Sequence, residues 1–263
     1  MAVLLTAPAP TGTSGYTLLI ADSAAQVAAA ARLRYTVFAE EFGANLHSPV
    51  SGLDADEFDP HCDHLIVRDD RTGAVVGTYR MLPPDRVARA GRRYAEGEFD
   101  LSPLAPLRDN LVEIGRSCVD PAHRSGAVIN LMWAGIARYL HLRGLRWLGG
   151  CASVPVDDGG ATVAAVWTEV AQRHLSPPPM RVRPHRPWLA EPAGVAAMAA
   201  RDGVEPAGRS PMPPLLRGYL RLGAWVCGEP AYDPDFDVAD LYVLLSLDRM
   251  HPRYRRHFLG PDQ

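Results

Sequence analysis

The chain has 263 residues, 47% of them hydrophobic and 22% charged, with a formal net charge of -3 at pH 7. That composition excludes collagen-like, disordered and small disulfide-scaffold classes, and the lack of a basic excess argues against a dedicated nucleic-acid binder. All 27 basic residues are arginine, so a phosphate loop of the GxxxxGK[ST] type, a Schiff-base lysine, a pyridoxal-phosphate enzyme and a lysine-dependent kinase site are impossible. The cysteines Cys62, Cys118, Cys151 and Cys227 lie too far apart for a CxxC pair or a zinc ribbon, which fits a reducing cytoplasm. There is no basic leader and no run of 18 apolar residues, so neither secretion nor a membrane span is expected. No low-complexity linker divides the sequence, and one domain over residues 16–263 is the expectation.

Residues 1–15, small and rich in Pro, Gly and Thr, read as a mobile N-terminal tail, followed by a short strand at Tyr16 to Ile20. Asp22 or Ser23 can cap a helix from Ala24 to Phe42, in which Leu33, Val37, Phe38 and Phe42 stand near helical spacing. An acidic loop, GLDADEFDPHCDH, leads into two apolar runs around a Gly-containing turn, a hairpin over residues 64–82. Pro83 to Asn110 reads as a long loop with some helix. Leu111 to Val119 alternates as a strand whose Glu113 and Arg116, three apart, fall on opposite faces unless a bulge intervenes. After the turn DPAHRSG, a helix from Ala127 to Leu142 is apolar nearly all round and therefore deeply buried. WLGGCASV is a strand, Gly159 to Leu175 a helix, residues 176–192 a Pro-rich interruption, PPLLRGYLRLGAWV the start of a helix, and DVADLYVLLSL the final strand. The order points to an α/β (α+β) chain with a mixed sheet flanked by helices and no internal repeats.

The strand, arginine-bearing turn and buried helix at residues 111–142 suit a single phosphate, because a helix start presents free N–H groups and a partial positive charge. The competing reading is that Arg124 and Ser125 only cap and solvate the helix end. Arg80 and Arg116 sit inside apolar strands, where an unpaired charge is costly.

These residues resemble the GNAT acyltransferases, in which a strand, a phosphate-gripping turn and a helix hold the pantetheine arm of an acyl donor. The family's turn, [RQ]xxGx[GA], aligns with Arg124, Ser125, Gly126, Ala127, Val128 and Ile129, with Ala127 and Ile129 at the glycine positions. The words RLRYTVFAEEFG, DEFDPHCDHLIV, VVGTYRML, EGEFDLS, EIGRSCVDPAHRSGAVINLMWAGIARYL, GCASVP, PPLLRGYLRLGAWV and HPRYRRHF narrow the resemblance to ornithine N-acyltransferases of lipid synthesis and, more distantly, acyl-homoserine-lactone synthases.

The resemblance implies a mostly antiparallel, twisted GNAT-like sheet and transfer of a (3-hydroxy)fatty acyl group from acyl carrier protein to the α-amine of an amino acid, L-ornithine first, giving a lyso-ornithine lipid. The alternatives are a homoserine-lactone synthase and a non-catalytic module that binds acyl carriers or lipid. It further implies Glu113 as the acceptor of the amine proton with Arg116 beside it, and Arg34, Asp56, Asp59 and Arg80 around the acceptor amino acid. Arg124, Ser125, Gly126 and Ala127 would hold the donor phosphopantetheine, whose one phosphate makes a less glycine-rich turn tolerable. Backbone N–H groups where the Glu113 strand splays from its neighbour would stabilise the oxyanion. No resident cofactor or metal is implied; the phosphopantetheine thioester, on carrier protein or on coenzyme A, is a substrate.

Three motifs are set aside. Cys118 with His123 lacks an orienting third group for nucleophilic catalysis, and Cys62 with His61 and His64 lacks a second ligand pair for metal. HLIVRD matches the HxxxxD word of glycerolipid acyltransferases, but on a strand His64 and Asp69 point to opposite faces. Two arginine clusters, at 86, 89, 92 and 93 and at 249, 253, 255 and 256, could be solvated surface, steer an acidic carrier protein, or rest on an anionic membrane. The expected location is cytoplasmic, with peripheral contact at the inner membrane face.

Overall fold

The computed structural model describes residues 3–7, 15–201, 212–250 and 252–259. In chain order these form β1 (Val3–Ala7), β2 (Tyr16–Ile20), α1 (Ala24–Tyr35), β3 (Asp63–Asp69), β4 (Val75–Leu82), α2 (Pro84–Ala90), β5 (Phe99–Asp100), β6 (Leu111–Val119), α3 (Ala127–Leu142), β7 (Trp147–Pro155), α4 (Ala161–Arg173), β8 (Arg183–Pro184), α5 (Pro192–Arg201), α6 (Pro214–Leu222), β9 (Trp225–Val226), β10 (Ala231–Asp233), β11 (Val238–Ser246) and α7 (Pro252–Leu259). The chain divides into two compact units, one from Met1–Gly91, Val112–Arg146 and Pro252–Gln263, the other from Arg92–Leu111 and Trp147–His251.

In the first unit, β1, β2, β3, β4 and β6 pair in that order, each antiparallel to its neighbour. Strand parity sorts the two faces: on β4, Thr78, Arg80 and Leu82 face one way and Gly77, Tyr79 and Met81 the other. α3 covers the Gly77 face so closely that a β-carbon at Gly77 would stand 2.7 Å from Val128, and one at Gly135 would collide with Leu18. Met132, Leu65 and Leu18 are fully buried in this layer, and α7 packs against α3. α1 covers the opposite face, where Ala30 meets Leu19 and Ile66, and Leu33 meets Cys118. Ser23 caps α1 by accepting from the Gln26 N–H.

In the second unit, β7, β11 and β10 pair antiparallel in that order, β9 adds to β11, and β5 pairs β8. Its core centres on Phe99, Leu104, Leu111, Tyr242 and Leu244, with Phe99 edge-on to Tyr242 at 5.9 Å.

The α/β class, the antiparallel character, β2, the hairpin of β3 and β4, and the limits of α3 are as expected. The expected tail is corrected at residues 3–7: the apolar run VLLTA pairs with β2, burying Leu4, while residues 1–2 and 8–14 lie outside the described ones. The helix expected to run to Phe42 leaves α-geometry at Tyr35 and continues as a wider π-helical turn over Thr36–Glu41. α4 starts at Ala161 because Gly159 and Gly160, at φ of 71° and 85°, stand in the left-handed region and cannot extend the helix backwards. The long loop from Pro83 holds α2, β5 and a 3₁₀ run over Ser102–Asn110.

Candidate active site

The face of the first unit beneath α1 carries a charged network. His64 on β3 stands opposite Arg80 on β4, Arg80 stands opposite Gly115 on β6, and Glu113 stands opposite Leu82. Parity therefore puts His64, Arg80, Glu113 and Gly115 on one face. Arg116 would turn to the other face in a regular strand. Instead, the register advances two residues on β4, from Thr78 to Arg80, but three on β6, from Gly115 to Cys118. This bulge, with Arg116 at φ 50°, brings the guanidinium round to the network.

The loop before β3 supplies three aspartates. Arg34, fully buried on α1, donates from Nε to Asp54 Oδ2 at 3.0 Å, from Nη2 to Asp59 Oδ1 at 2.8 Å, and to the Asp54 carbonyl by a short bond. Asp59 Oδ2 takes the Asp56 backbone N–H at 2.8 Å and faces Arg80 Nη1 at 3.4 Å. Arg80 Nη1 donates to Asp56 Oδ1 at 2.6 Å, and its guanidinium lies 5.7 Å from the Phe58 ring centre. Arg116 pairs with Asp54 at 3.6 Å and Asp56 at 3.7 Å.

Exposure grades this network from inside to outside. The side chains of Arg34, Arg80 and Arg116 are 0%, 5% and 14% exposed, and those of Asp54, Asp59 and Asp56 are 5%, 10% and 20% exposed. Arg34, Asp54 and Asp59 thus form a foundation, while Asp56 and Arg116 form the accessible rim. Burial works against the Asp56 carboxylate, but Arg80, Arg116 and the Phe58 N–H outweigh it and hold its pKa below the ordinary value. Burial lowers the pKa of His64 against the opposing pull of Asp59, so its imidazole is neutral near pH 7, with Nε2 at 3.1 Å from the Asp59 carbonyl.

Glu113 is 5% exposed, and its charge acts on the thiol of Cys62 together with those of Arg80, Asp59 and Asp56. Burial pushes Cys62 up to about 12 and Cys118 likewise up to about 12, so neither is a thiolate near pH 7. Beside Gly115, between Glu113 and Arg116 in the chain, a β-carbon would meet nothing within 4 Å. The network therefore borders open space.

The turn after β6 is arranged differently from expectation in one respect. Arg124 forms a fork with Glu41, Nη1 to Oε1 at 2.6 Å and Nη2 to Oε2 at 2.7 Å, while Nε donates to the Val119 carbonyl at 3.0 Å. That fork raises the pKa of Arg124 and lowers that of Glu41. Ser125 is exposed, Gly126 turns at φ 94°, and Ala127 opens α3 with no side chain capping its N–H groups. Charges from both sites reach Cys118, where burial is countered or assisted by Arg34, Asp54, Arg124 and Glu41; β6 thus runs from the network to the turn.

Asp54, which also joins the network, carries no signal in the sequence beyond its place in DADEFD beside Asp56 and Asp59. Asp69 accepts from the Arg71 N–H and the Thr72 hydroxyl, apart from His64, so HLIVRD forms no catalytic pair. The first arginine cluster is broken up: Arg86 pairs with Asp63 at 2.9 Å, and Arg93 is buried. In the second, Arg249 stacks on Trp225 at 3.7 Å, whereas Arg253, Arg255 and Arg256 of α7 are exposed. Among the described residues, no helix is long and apolar enough to cross a membrane.

A family model for the acetyltransferase (GNAT) domain matches residues 33–134. Among solved structures, FeeM, an N-acyl amino acid synthase from uncultured soil microbes, superposes with a TM-score of 0.51 over 93% of this chain and 99% of that chain at 11% identity. BjaI, a CoA-dependent acyl-homoserine lactone synthase, superposes with a TM-score of 0.50 over 89% of this chain and 81% of that chain at 14% identity. Those likenesses establish a GNAT-like fold. The L-ornithine N(alpha)-acyltransferase of Rhodobacter capsulatus is 36% identical, covering 92% of this chain and 94% of the relative. That of Brucella abortus is 33% identical over 91% of this chain and 87% of the relative. Similar along nine-tenths of its length to enzymes of that name, the chain is an N-acyltransferase and belongs to the L-ornithine N(alpha)-acyltransferase family.

Proposed function

We propose that the enzyme transfers a (3-hydroxy)fatty acyl group from acyl carrier protein to the α-amine of L-ornithine, giving a lyso-ornithine lipid. The observation that carries this reading is the juxtaposition of the rim pair Asp56 and Arg116 with Glu113 beside the open space at Gly115, on a chain whose relatives bear that name. The two rim charges have opposite signs, as recognition of an amino acid requires: Arg116 for its carboxylate and Asp56 for an ammonium. Arg80 and Arg34, with Asp59 and Asp54, hold that rim in place.

The reaction needs a neutral amine, an aligned thioester and a stabilised oxyanion. Glu113 accepts the proton of the α-ammonium, directly or through water. The amine nitrogen then attacks the thioester carbonyl, a C–N bond forms, and the tetrahedral oxyanion collapses with cleavage of the C–S bond. The departing pantetheine thiolate takes up the second proton that the nitrogen sheds as the amide forms, and Glu113 releases the first to solvent. N–H groups of the β6 bulge lie on the same strand as Glu113 and suit the oxyanion. The donor phosphate sits at the start of α3 with Arg124, Ser125, Gly126 and Ala127. The exposed arginines of α7 complement an acidic carrier protein, and the same basic face suits peripheral contact with an anionic inner membrane surface.

The experiment incubates purified protein with 3-hydroxyacyl carrier protein and a panel of amino acids, with mass spectrometry of acylated product and assay of released carrier thiol. N-acylornithine with stoichiometric thiol is the expected result, lost in Glu113→Gln. Absence of product with every acceptor at pH 9, where the amine is largely neutral, refutes this donor, and acyl coenzyme A is the arm that separates donor from chemistry. Conversion of adenosylmethionine to methylthioadenosine would identify lactone synthesis instead.

A further inference from the structure

His64 is buried beneath α1 on the face that carries Arg80, Glu113 and Gly115, yet the steps of acyl transfer give it no part. Its ring joins two elements. Nδ1 stands 3.4 Å from Nη1 of Arg34 on α1, and Nε2 stands 3.1 Å from the Asp59 carbonyl in the loop before β3. A guanidinium only donates and a carbonyl only accepts, so these contacts fix the tautomer: Nδ1 accepts from Arg34, and Nε2 carries the proton that is donated to Asp59. A neutral imidazole can do both at once from opposite sides of one ring.

The Asp59 carbonyl is the point from which the acceptor turn hangs. Within that turn Asp59 N–H donates to the Asp56 carbonyl at 3.3 Å, Asp56 N–H donates to Asp59 Oδ2 at 2.8 Å, and Phe58 N–H donates to Asp56 Oδ1 at 2.9 Å. The turn is thus closed on itself, and its place relative to the sheet is set by what grips it from outside. Arg34 and Arg80 grip the Asp59 carboxylate, which can swing about its side-chain torsions, whereas His64 grips the main chain.

We propose that His64 is a positioning residue for the acceptor amino acid: its Nε2–H holds the main chain of the turn from Asp56 to Asp59 and so fixes where the Asp56 carboxylate meets the incoming ammonium, without touching the substrate. The inference rests on the assignment of Asp56 and Arg116 to the acceptor.

The test compares two amides in place of the ring. His64→Asn keeps an acceptor near Arg34 but falls short of the Asp59 carbonyl, whereas the longer His64→Gln places an N–H near the position of Nε2. His64→Asn should raise the ornithine KM by about tenfold, the effect of one lost bond, with kcat and donor KM unchanged, and His64→Gln should stay within about twofold of wild type. Hydrogen exchange read by mass spectrometry should be faster across residues 56–62 in His64→Asn than in wild type or His64→Gln. This readout needs no turnover, so it decides the role of His64 separately from the choice of ornithine as acceptor. An unchanged KM and unchanged exchange in His64→Asn, equal impairment of both variants, or a loss confined to kcat overturns the proposal. If neither variant folds, NMR of wild-type protein carrying labelled histidine decides: a neutral His64 protonated at Nε2 is the expected state, and a proton on Nδ1 overturns the proposal.

Discussion

Arg124 and Glu41, 83 positions apart, meet in a two-pronged ion pair with both N–O distances below 2.8 Å. The arginine expected to grip the donor phosphate is therefore engaged by a carboxylate from the π-helical turn after α1. If the phosphate displaces Glu41, Glu41→Ala should lower the donor KM by about threefold, and Arg124→Ala should raise it by about tenfold, with the acceptor KM unchanged in both. Steady-state kinetics with varied carrier protein checks this; two variants with wild-type donor KM would show that the turn does not bind the donor.

Asp56→Asn removes the carboxylate that Arg80 and Arg116 share. Arg80 keeps Asp59 at 3.4 Å and Arg116 keeps Asp54 at 3.6 Å, so the loss is that of one charge-assisted hydrogen bond, and the substitution should destabilise the protein by about 1.5 kcal/mol and raise the KM for the amino acid. The pKa of Asp56 is lowered on folding, so its contribution to stability is present above the ordinary value of 3.8 and lost as pH falls through the folded value. Acid-unfolding curves of wild type and variant should converge at the lowest pH.

Gly115→Val should fold normally, since a β-carbon there meets nothing within 4 Å and a β-branched residue suits a strand. The added methyls would occupy the open space beside Glu113 and Arg116. An unchanged melting temperature with the acceptor KM raised by about tenfold is the expected pair of results, and unchanged kinetics would move the acceptor elsewhere.

Cys118 is buried and its thiol is pushed up to about 12, so direct transfer without an acyl-cysteine intermediate is expected. Cys118→Ala should retain kcat within about twofold, and trapping with radiolabelled donor should leave no acyl group on the wild-type protein.

Glu98 on the second unit shares a buried place with Asp240. Burial first, and then the Asp240 charge, push its pKa from 4.5 to about 10. The folded chain keeps a proton that the unfolded chain loses, so this contribution to stability is full below pH 4.5 and declines as pH rises towards 10. Glu98→Gln, neutral at every pH, should flatten the fall of melting temperature between pH 5 and pH 9.

Sequence alone determined the local elements and the chemical inventory. Alternation and turn residues located β2, the hairpin and β6, and an all-round apolar pattern located α3 to its terminal residues, because such patterns record which face each neighbour presents. The family resemblance, and not periodicity, pointed to Arg34, Asp56, Asp59, Arg80, Glu113 and Arg116, which gather in one unit. Tertiary structure alone decided how they are used. Whether Arg116 joins Glu113 depended on one extra residue in the β6 ladder, and the ranking of Asp54 and Asp59 as foundation and Asp56 as rim depended on depth beneath α1. The partnerships of Arg124 with Glu41 and of Glu98 with Asp240 span long stretches of chain. Periodicity encodes the direction of a side chain relative to its own backbone; the register and packing that bring two distant side chains together are properties of the whole fold.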